Sequence, residues 1–322
     1  MTPSTVVIVK PGSLGDIVLT LPAAHFLKST FPRTDFFWIA NNEWTPLLED
    51  NANLKGVIPF PRNRFRGPAG PYQFLRWCKQ LSTMRPDLVL DFQGLLRSAW
   101  ISRSLRAKRV LGLSDSREAS RYFYHQQAEV RENQHSVERY LELARLAGAD
   151  VTGPAQFALP QGRRVPSLDL PDRFVILHPF ARGNSKSLTA SEITQLIEAL
   201  APHPVIVVGR SNDDFLLSRN AISLVNQTDL AQLIWLLRKA SFIISVDSGP
   251  MHIAAAITPS LLSIHTWSDP RSVGPYNPDA WIWKERHICQ VRSLSASRSP
   301  TTSEDRPHPI QIAEFVHQRL LL

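Results

Sequence analysis

The chain has 322 residues, 43% of them hydrophobic, and a formal net charge of +8; that length can bury a substantial core and points to two ordinary domains or one large one. Two distant cysteines, Cys78 and Cys289, have no metal-ligand spacing, which argues against a disulfide framework or a zinc site and makes a reducing cytoplasm the default compartment. The start "MTPSTVVIVK" has no charged region leading into a long apolar stretch, and no apolar run of about eighteen residues occurs, so neither export nor a membrane span is expected.

In chain order, the β-branched run Val6 to Val9 leads into "KPGSLGDIVLTLPAA", where Leu14, Ile17, Val18, Leu21 and Ala24 recur mostly at helical spacing. This predicts strand, glycine turn and helix, with the turn outside the carboxyl end of the strand, where open α/β sheets hold their ligands. Gly12-Ser13-Leu14-Gly15 fits neither the dinucleotide fingerprint nor a Walker loop. Asp16 is then either a helix cap, a role Asp favours, or a group facing a ligand. The runs "DFFWIA", "GVIPF", "DLVLDF" and "KRVLGL" alternate with helical patterns, which predicts a parallel sheet covered by helices.

From Pro61 to Tyr140 there are fifteen Lys/Arg against seven Asp/Glu, a difference of +8 that equals the whole net charge. Such a stretch suits an anion. Nucleic acid is one partner of that kind, although no nucleic-acid-binding motif is present; an anionic lipid surface and a merely solvated face also fit. The segment 134–149, "QHSVERYLELARLAGA", predicts an amphipathic helix, and the proline-rich stretch after it a linker.

The alternation restarts with "RFVILHPF", "PVIVVG", "FIISVD" and "LLSIHT". The chain therefore reads as two similar α/β domains in tandem, with a cleft between the carboxyl ends of their strands as the expected ligand site. His178 to Lys186 form a loop after a strand, where small residues expose backbone N–H groups and one lysine offers a point charge; a phosphate suits it, and so does plain solvent. In "FIISVDSGPMHIAAAI" a buried strand meets a helix start at Asp247-Ser248-Gly249-Pro250, where free N–H groups bind anions and a diphosphate fits. The stretch 291–309 is rich in serine and arginine, reads as a mobile tail, and precedes a last short helix.

Four stretches in order, "VKPGSLGDIVLTLPA", "DFQGLLRSA", "HPFA....K" and "SVDSGPMHIAAA", resemble the ADP-heptose:lipopolysaccharide heptosyltransferases over nearly the whole chain. The resemblance implies an α/β fold of GT-B architecture: two facing Rossmann-like domains with parallel sheets, an acceptor domain at 1–150, a linker at 151–171 and a nucleotide-sugar domain at 172–322. It implies inverting, metal-independent transfer of heptose from ADP-heptose to a Kdo or heptose of the lipopolysaccharide inner core, with no cofactor beyond the ADP-sugar co-substrate and no metal ligands. It also implies a cytoplasmic enzyme peripheral to the inner membrane, whose acceptor is Kdo-lipid A or its heptosylated form and which does not act on nucleic acid.

Residue by residue, Asp16 matches the general base and Lys186 the lysine that stabilises the departing diphosphate. His178, Ala181, Asp247, Ser248, Gly249 and His252 match donor-binding positions; Asp213 falls where a ribose contact is expected, and Gln227 with Thr228 near the adenine. Gly15, Gln93, the cluster Arg62, Arg64 and Arg66, and Arg117 match the acceptor side, where arginine forks suit carboxylates and phosphates. Two departures stand beside the donor: Phe180 replaces the usual glycine of the H-P-G-A loop, and Ser187-Leu188-Thr189 replaces the Trp-Pro after the lysine. Another GT-B enzyme such as a nucleotide-sugar epimerase, or a catalytically silent binder of nucleotide sugar or glycolipid, is the alternative. A nicotinamide-dependent dehydrogenase fits least, as neither glycine loop carries its fingerprint.

Overall fold

The computed structural model describes residues 2–166, 169–183, 185–294 and 305–321. Within the stretch 291–309, residues 295–304 lie outside that description, as do Asn184 in the 178–186 loop and Ser167 and Leu168 in the 151–171 stretch. The chain forms two compact units, 1–160 and 161–322. The division falls inside the proline-rich stretch, whose two halves pack on different units. Ala158 accepts a hydrogen bond from Asn51 Nδ2 at 2.9 Å, whereas Arg163 pairs with Asp229 and donates its N–H to the Ala231 carbonyl.

The first unit contains β1 (Thr5–Val9), α1 (Leu14–Thr30), β2 (Asp35–Asn41), β3 (Gly56–Phe60), α2 (Gly70–Leu81), β4 (Leu88–Asp91), α3 (Leu96–Ser104), β5 (Arg109–Leu113), β6 (Gln126–Ala128) and α4 (Ser136–Leu146). All six strands are parallel, in the order β3-β2-β1-β4-β5-β6. Continuous β-branched runs dictate this, because a parallel sheet hides both faces and rewards apolar residues at every position. Val6 to Val9 are buried throughout, flanked by Phe36–Ile39 on one side and Leu88–Asp91 on the other. On one face Val7 and Val9 pack with Cys78 and Leu81 of α2 and Ile101 of α3, while α1 and α4 pack on each other. Strand order reverses between β1 and β4, so their carboxyl ends, at Lys10 and Phe92, flank the point where such sheets bind ligands.

The second unit contains β7 (Val175–His178), α5 (Ala190–Ala199), β8 (Val205–Val207), β9 (Ala221–Ser223), α6 (Leu230–Lys239), β10 (Phe242–Val246), α7 (Gly249–Ile257), β11 (Leu261–Ile264), α8 (Pro270–Val273), β12 (Trp281–Lys284), β13 (His287–Gln290) and α9 (Pro309–Leu320). Its sheet order is β13-β12-β11-β10-β7-β8-β9, parallel except for the β12–β13 hairpin at one edge. The order reverses between β7 and β10, where Ser245 lies beside His178. The last helix belongs to this core: Ile312, Ala313, Val316 and Leu320 are buried in it, and Arg173 donates to the Leu320 carbonyl at 2.9 Å.

Candidate functional site

In the first unit, β1 delivers Lys10 and the start of α1 delivers Asp16. Lys10 is only 2% exposed; its ammonium donates to the Tyr140 hydroxyl at 2.8 Å and to the Phe92 carbonyl at 3.0 Å. Tyr140, buried on α4, donates its hydroxyl to Asp16 Oδ1 at 3.0 Å, and Lys10 Nζ lies 3.8 Å from that same oxygen. Asp16 Oδ2 accepts from the Ser13 N–H at 3.0 Å and the Ser13 hydroxyl at 2.9 Å. The Asp16 side chain is nonetheless 37% exposed, so it is the open end of a polar chain whose inner members, Tyr140 and Lys10, are buried.

Burial alone raises the Asp16 pKa, but Lys10, Ser13 and Tyr140 more than offset it and hold the carboxyl below its ordinary value. Burial lowers the Lys10 pKa, against the pull of Asp16, and raises that of Tyr140 well above its ordinary value. Asp16 is thus a carboxylate at neutral pH, fixed on three sides and open on the fourth.

Gly15 is buried beside it in the first turn of α1. Gln93 reaches the same turn, its Oε1 accepting from the Gly12 N–H at 3.3 Å. The β4 loop is shaped by Asp91, which accepts from the Gln93 and Gly94 N–H groups at 2.9 and 3.1 Å and from the Tyr124 hydroxyl at 2.9 Å. Arg117 is tied to that loop through its backbone, donating to the Gly94 carbonyl at 2.8 Å, and its side chain is exposed. Arg62, Arg64 and Arg66 stand exposed in and just after the 3-10 turn Arg62–Phe65 that follows β3.

In the second unit the loops after β7 and β10 lie side by side. Lys186 Nζ meets Asp247 Oδ2 at 2.6 Å and lies 5.2 Å from the Trp267 ring centroid. Asp247 is followed by Ser248 and Gly249, which open α7, with His252 buried in its first turn. Ser248 Oγ lies 3.3 Å from His178 Nδ1 and donates to the Val246 carbonyl at 3.1 Å. His178 is buried and its pKa is lowered to about 4 by that burial, so the ring is neutral at pH 7.

Burial raises the Asp247 pKa, while a proton on His265, the Lys186 ammonium and the Ser268 hydroxyl more than offset it. Burial lowers the His265 pKa to about 4 against the pull of Asp247. At neutral pH, therefore, Lys186 and Ser268 do the holding. His265 in turn fixes Ser268, its Nδ1 lying 2.9 Å from the Ser268 hydroxyl and its Nε2 2.7 Å from Ser263.

Both donor-side departures have a physical account. The Phe180 ring turns into the core beside Phe215, and it packs so closely on Gly209 (φ +130°) that a Cβ there would sit 2.8 Å from Phe180 Cδ2. Ser187 accepts the Ala181 N–H at 2.9 Å, Leu188 is buried, and Thr189 caps α5 by accepting the Glu192 N–H at 3.2 Å. Asp213 lies on the exposed loop after β8 and accepts from Ser211 Oγ at 3.0 Å; Asn226 pins that loop by donating to the Ser211 carbonyl at 2.6 Å. Gln227, next to Asn226, is exposed, and Thr228 precedes the cap of α6. The sequence reading brought none of Lys10, Tyr140, Asp91, His265 or Ser268 into the site. Among the described residues, no group of three His, Cys, Asp or Glu is placed to hold a metal ion.

Two doubly wound units of this kind, each with polar loops at its strand-order reversal, define the GT-B class of glycosyltransferases, and solved structures share the fold. The E. coli heptosyltransferase WaaC with ADP superposes with a TM-score of 0.79 at 21% identity, over 98% of this chain and 99% of that one. The E. coli ADP-heptose lps heptosyltransferase II gives 0.77 at 19% identity, over 98% of each chain.

The model of glycosyltransferase family 9 (heptosyltransferase) matches residues 74–299, and the chain belongs to that family of enzymes. Lipopolysaccharide heptosyltransferase 1 of E. coli K12 is 26% identical over 296 residues, covering 86% of this chain and 92% of its own length. The Pseudomonas aeruginosa enzyme of the same name is 34% identical over 146 residues, 43% of this chain and 41% of its own.

Proposed function

We propose that the enzyme transfers heptose from ADP-heptose to a Kdo or heptose of the lipopolysaccharide inner core, with inversion at the anomeric carbon and without a metal cofactor. The observation that carries the reading is the open, ionised Asp16 carboxylate at the strand-order reversal of the first unit. In this reading Asp16 takes the proton of the acceptor hydroxyl as that oxygen attacks the anomeric carbon. The bond to the diphosphate breaks, and ADP leaves with its charge met by Lys186 and the free N–H groups at the start of α7. His178, Ala181, Asp247, Ser248, Gly249 and His252 hold the donor, with Asp213 at the ribose and Gln227 near the adenine. Gly15, Gln93, Arg62, Arg64, Arg66 and Arg117 serve the anionic acceptor. The names of the family relatives support the donor and acceptor classes. The proposed setting is the cytoplasmic face of the inner membrane, because the acceptor carries a lipid anchor; no helix among the described residues is long and apolar enough to cross a membrane.

ADP release measured with ADP-L-glycero-D-manno-heptose, with and without deacylated Kdo-containing lipid A, tests the reading. Release should require both substrates. Asp16→Ala should lower turnover by about 10²–10⁴-fold and leave ADP-sugar affinity near that of the wild type. Lys186→Ala should lower turnover by about 10²-fold and weaken donor binding too. Near-normal turnover in Asp16→Ala would remove the base from this account, and donor binding without release under any acceptor would point to a silent binding protein.

A further inference from the structure

The helices α2 and α3 themselves carry no residue of the proposed mechanism, although the turn at their border holds Arg62 and Arg64, assigned to the acceptor. Four neighbouring segments build their outer face: the turn Arg62–Phe65 touches α2, α2 touches α3, and α3 touches the turn Ser120–Phe123. Their inner sides are spoken for, since Cys78, Leu81 and Ile101 are buried against the sheet with Phe65, Phe74 and Trp77 packed on the same cluster. Their outer sides carry large apolar groups in the open: Tyr72 is 69% exposed, Leu75 52%, Trp100 45% and Tyr122 74%. On α2, Tyr72, Leu75, Arg76 and Lys79 follow one stripe at i, i+3, i+4 and i+7; on α3, Leu96, Arg97, Trp100 and Arg103 follow another.

The four segments themselves carry charge of one sign, and Glu118 borders them where it accepts the Leu96 N–H at 3.1 Å. Two Lys/Arg come from the first turn, two from α2, two from α3 and one from Ser120–Phe123, seven in all, and the four segments contain no Asp or Glu. The other helices of the unit are mixed, with Asp16 on α1 and Glu138 and Glu142 on α4. Exposed Trp and Tyr interleaved with cations fit the boundary of a bilayer, where an aromatic ring sits at headgroup depth and Lys or Arg meets anionic phosphates. A shallow cavity of about 450 Å³, lined in part by Arg103, Tyr122 and His125, opens beside it and is roomy enough for a headgroup.

We infer that the outer face of α2 and α3 docks the enzyme on an anionic bilayer surface, with Tyr72, Leu75, Trp100 and Tyr122 at headgroup depth and Arg76, Lys79 and Arg103 among the lipid phosphates. The inference rests on the reading of a lipid-borne acceptor only for what the docked enzyme is brought to. The test is co-sedimentation of the full chain, without acceptor, with vesicles of phosphatidylcholine alone and of phosphatidylcholine mixed with phosphatidylglycerol. The wild type should bind the mixed vesicles and release them at high salt, as screening dictates. The combined variant Arg76→Glu, Lys79→Glu, Arg103→Glu should lose at least about tenfold in partitioning, because each cation near such a surface counts for several-fold. Tyr72→Ser with Trp100→Ser should also weaken binding, with Tm unchanged in both variants.

No binding of the wild type to mixed vesicles would overturn the inference, and so would binding that charge reversal leaves intact. Both variants should keep wild-type ADP release with the deacylated, soluble acceptor. That assay separates the two ideas: patch-dependent vesicle binding without any transfer leaves the docking face standing and removes the heptosyl reading, whereas transfer without vesicle binding does the reverse.

Discussion

Asp16 shows how one carboxylate serves two ends. Its Oδ2 takes the Ser13 N–H and hydroxyl, so Asp16 is the third-position partner of a capping box and Ser13, not Asp16, is the cap of α1. Its Oδ1 faces Tyr140 and Lys10, which a capping box alone does not need. The position of Asp16 was legible because a strand, a glycine turn and a helix are written in nineteen consecutive residues, Val6 to Ala24. Its electrostatics were not, since Tyr140 lies 124 residues away and Lys10 reads from sequence as an ordinary polar end to a strand. A buried lysine signals itself only once the fold has removed its water. Because the Tyr140 hydrogen bond helps hold the Asp16 pKa down, Tyr140→Phe should move that pKa up. The acidic limb of the turnover–pH profile, where the base becomes protonated, should then shift to higher pH in Tyr140→Phe than in the wild type.

At the scale of elements, the strands that position the site were the easiest to read. β1, β4, β7 and β10 are central, hidden on both faces, and so written as mostly apolar runs, broken only by Thr5, Asp91, His178 and Ser245. β6 and β9, with sequences QQA and AIS, are three-residue edge strands held by one neighbour, and their residues carry no period. The β12–β13 hairpin was hidden for another reason: WIWK and HICQ mix apolar and polar residues at the sheet edge, where one side needs no burial. Burial at the ends of β7 and β11 holds His178 and His265 neutral, with pKa values lowered from 6.5 to about 4. Well above pH 6.5 neither the folded nor the unfolded chain protonates them appreciably. As pH falls from 6.5 towards 4 the unfolded chain takes up protons that the folded chain refuses, so stability is lost across that window. Chemical denaturation at pH 7 and at about pH 5 should differ by about 2 kcal/mol for each histidine. His265→Asn, which cannot ionise, should flatten the pH dependence even where it lowers the stability at pH 7.

For the molecule as a whole, the excess of positive charge is a local property. Residues 61–140 hold all of it in net terms, and the fold gathers seven of their cations into four neighbouring segments that contain no Asp or Glu. Sequence alone left nucleic acid, lipid and solvent open as reasons for the bias, because composition cannot tell whether cations stand alone or beside aromatic rings. The cationic face also changes what concentration means for this enzyme. Once held on a bilayer by α2 and α3, the catalyst searches for its acceptor in two dimensions, and its rate follows the number of acceptor molecules per unit area of lipid instead of their number per unit volume. Diluting the acceptor with inert anionic lipid then slows the enzyme even though the total amount of acceptor in the tube has not changed.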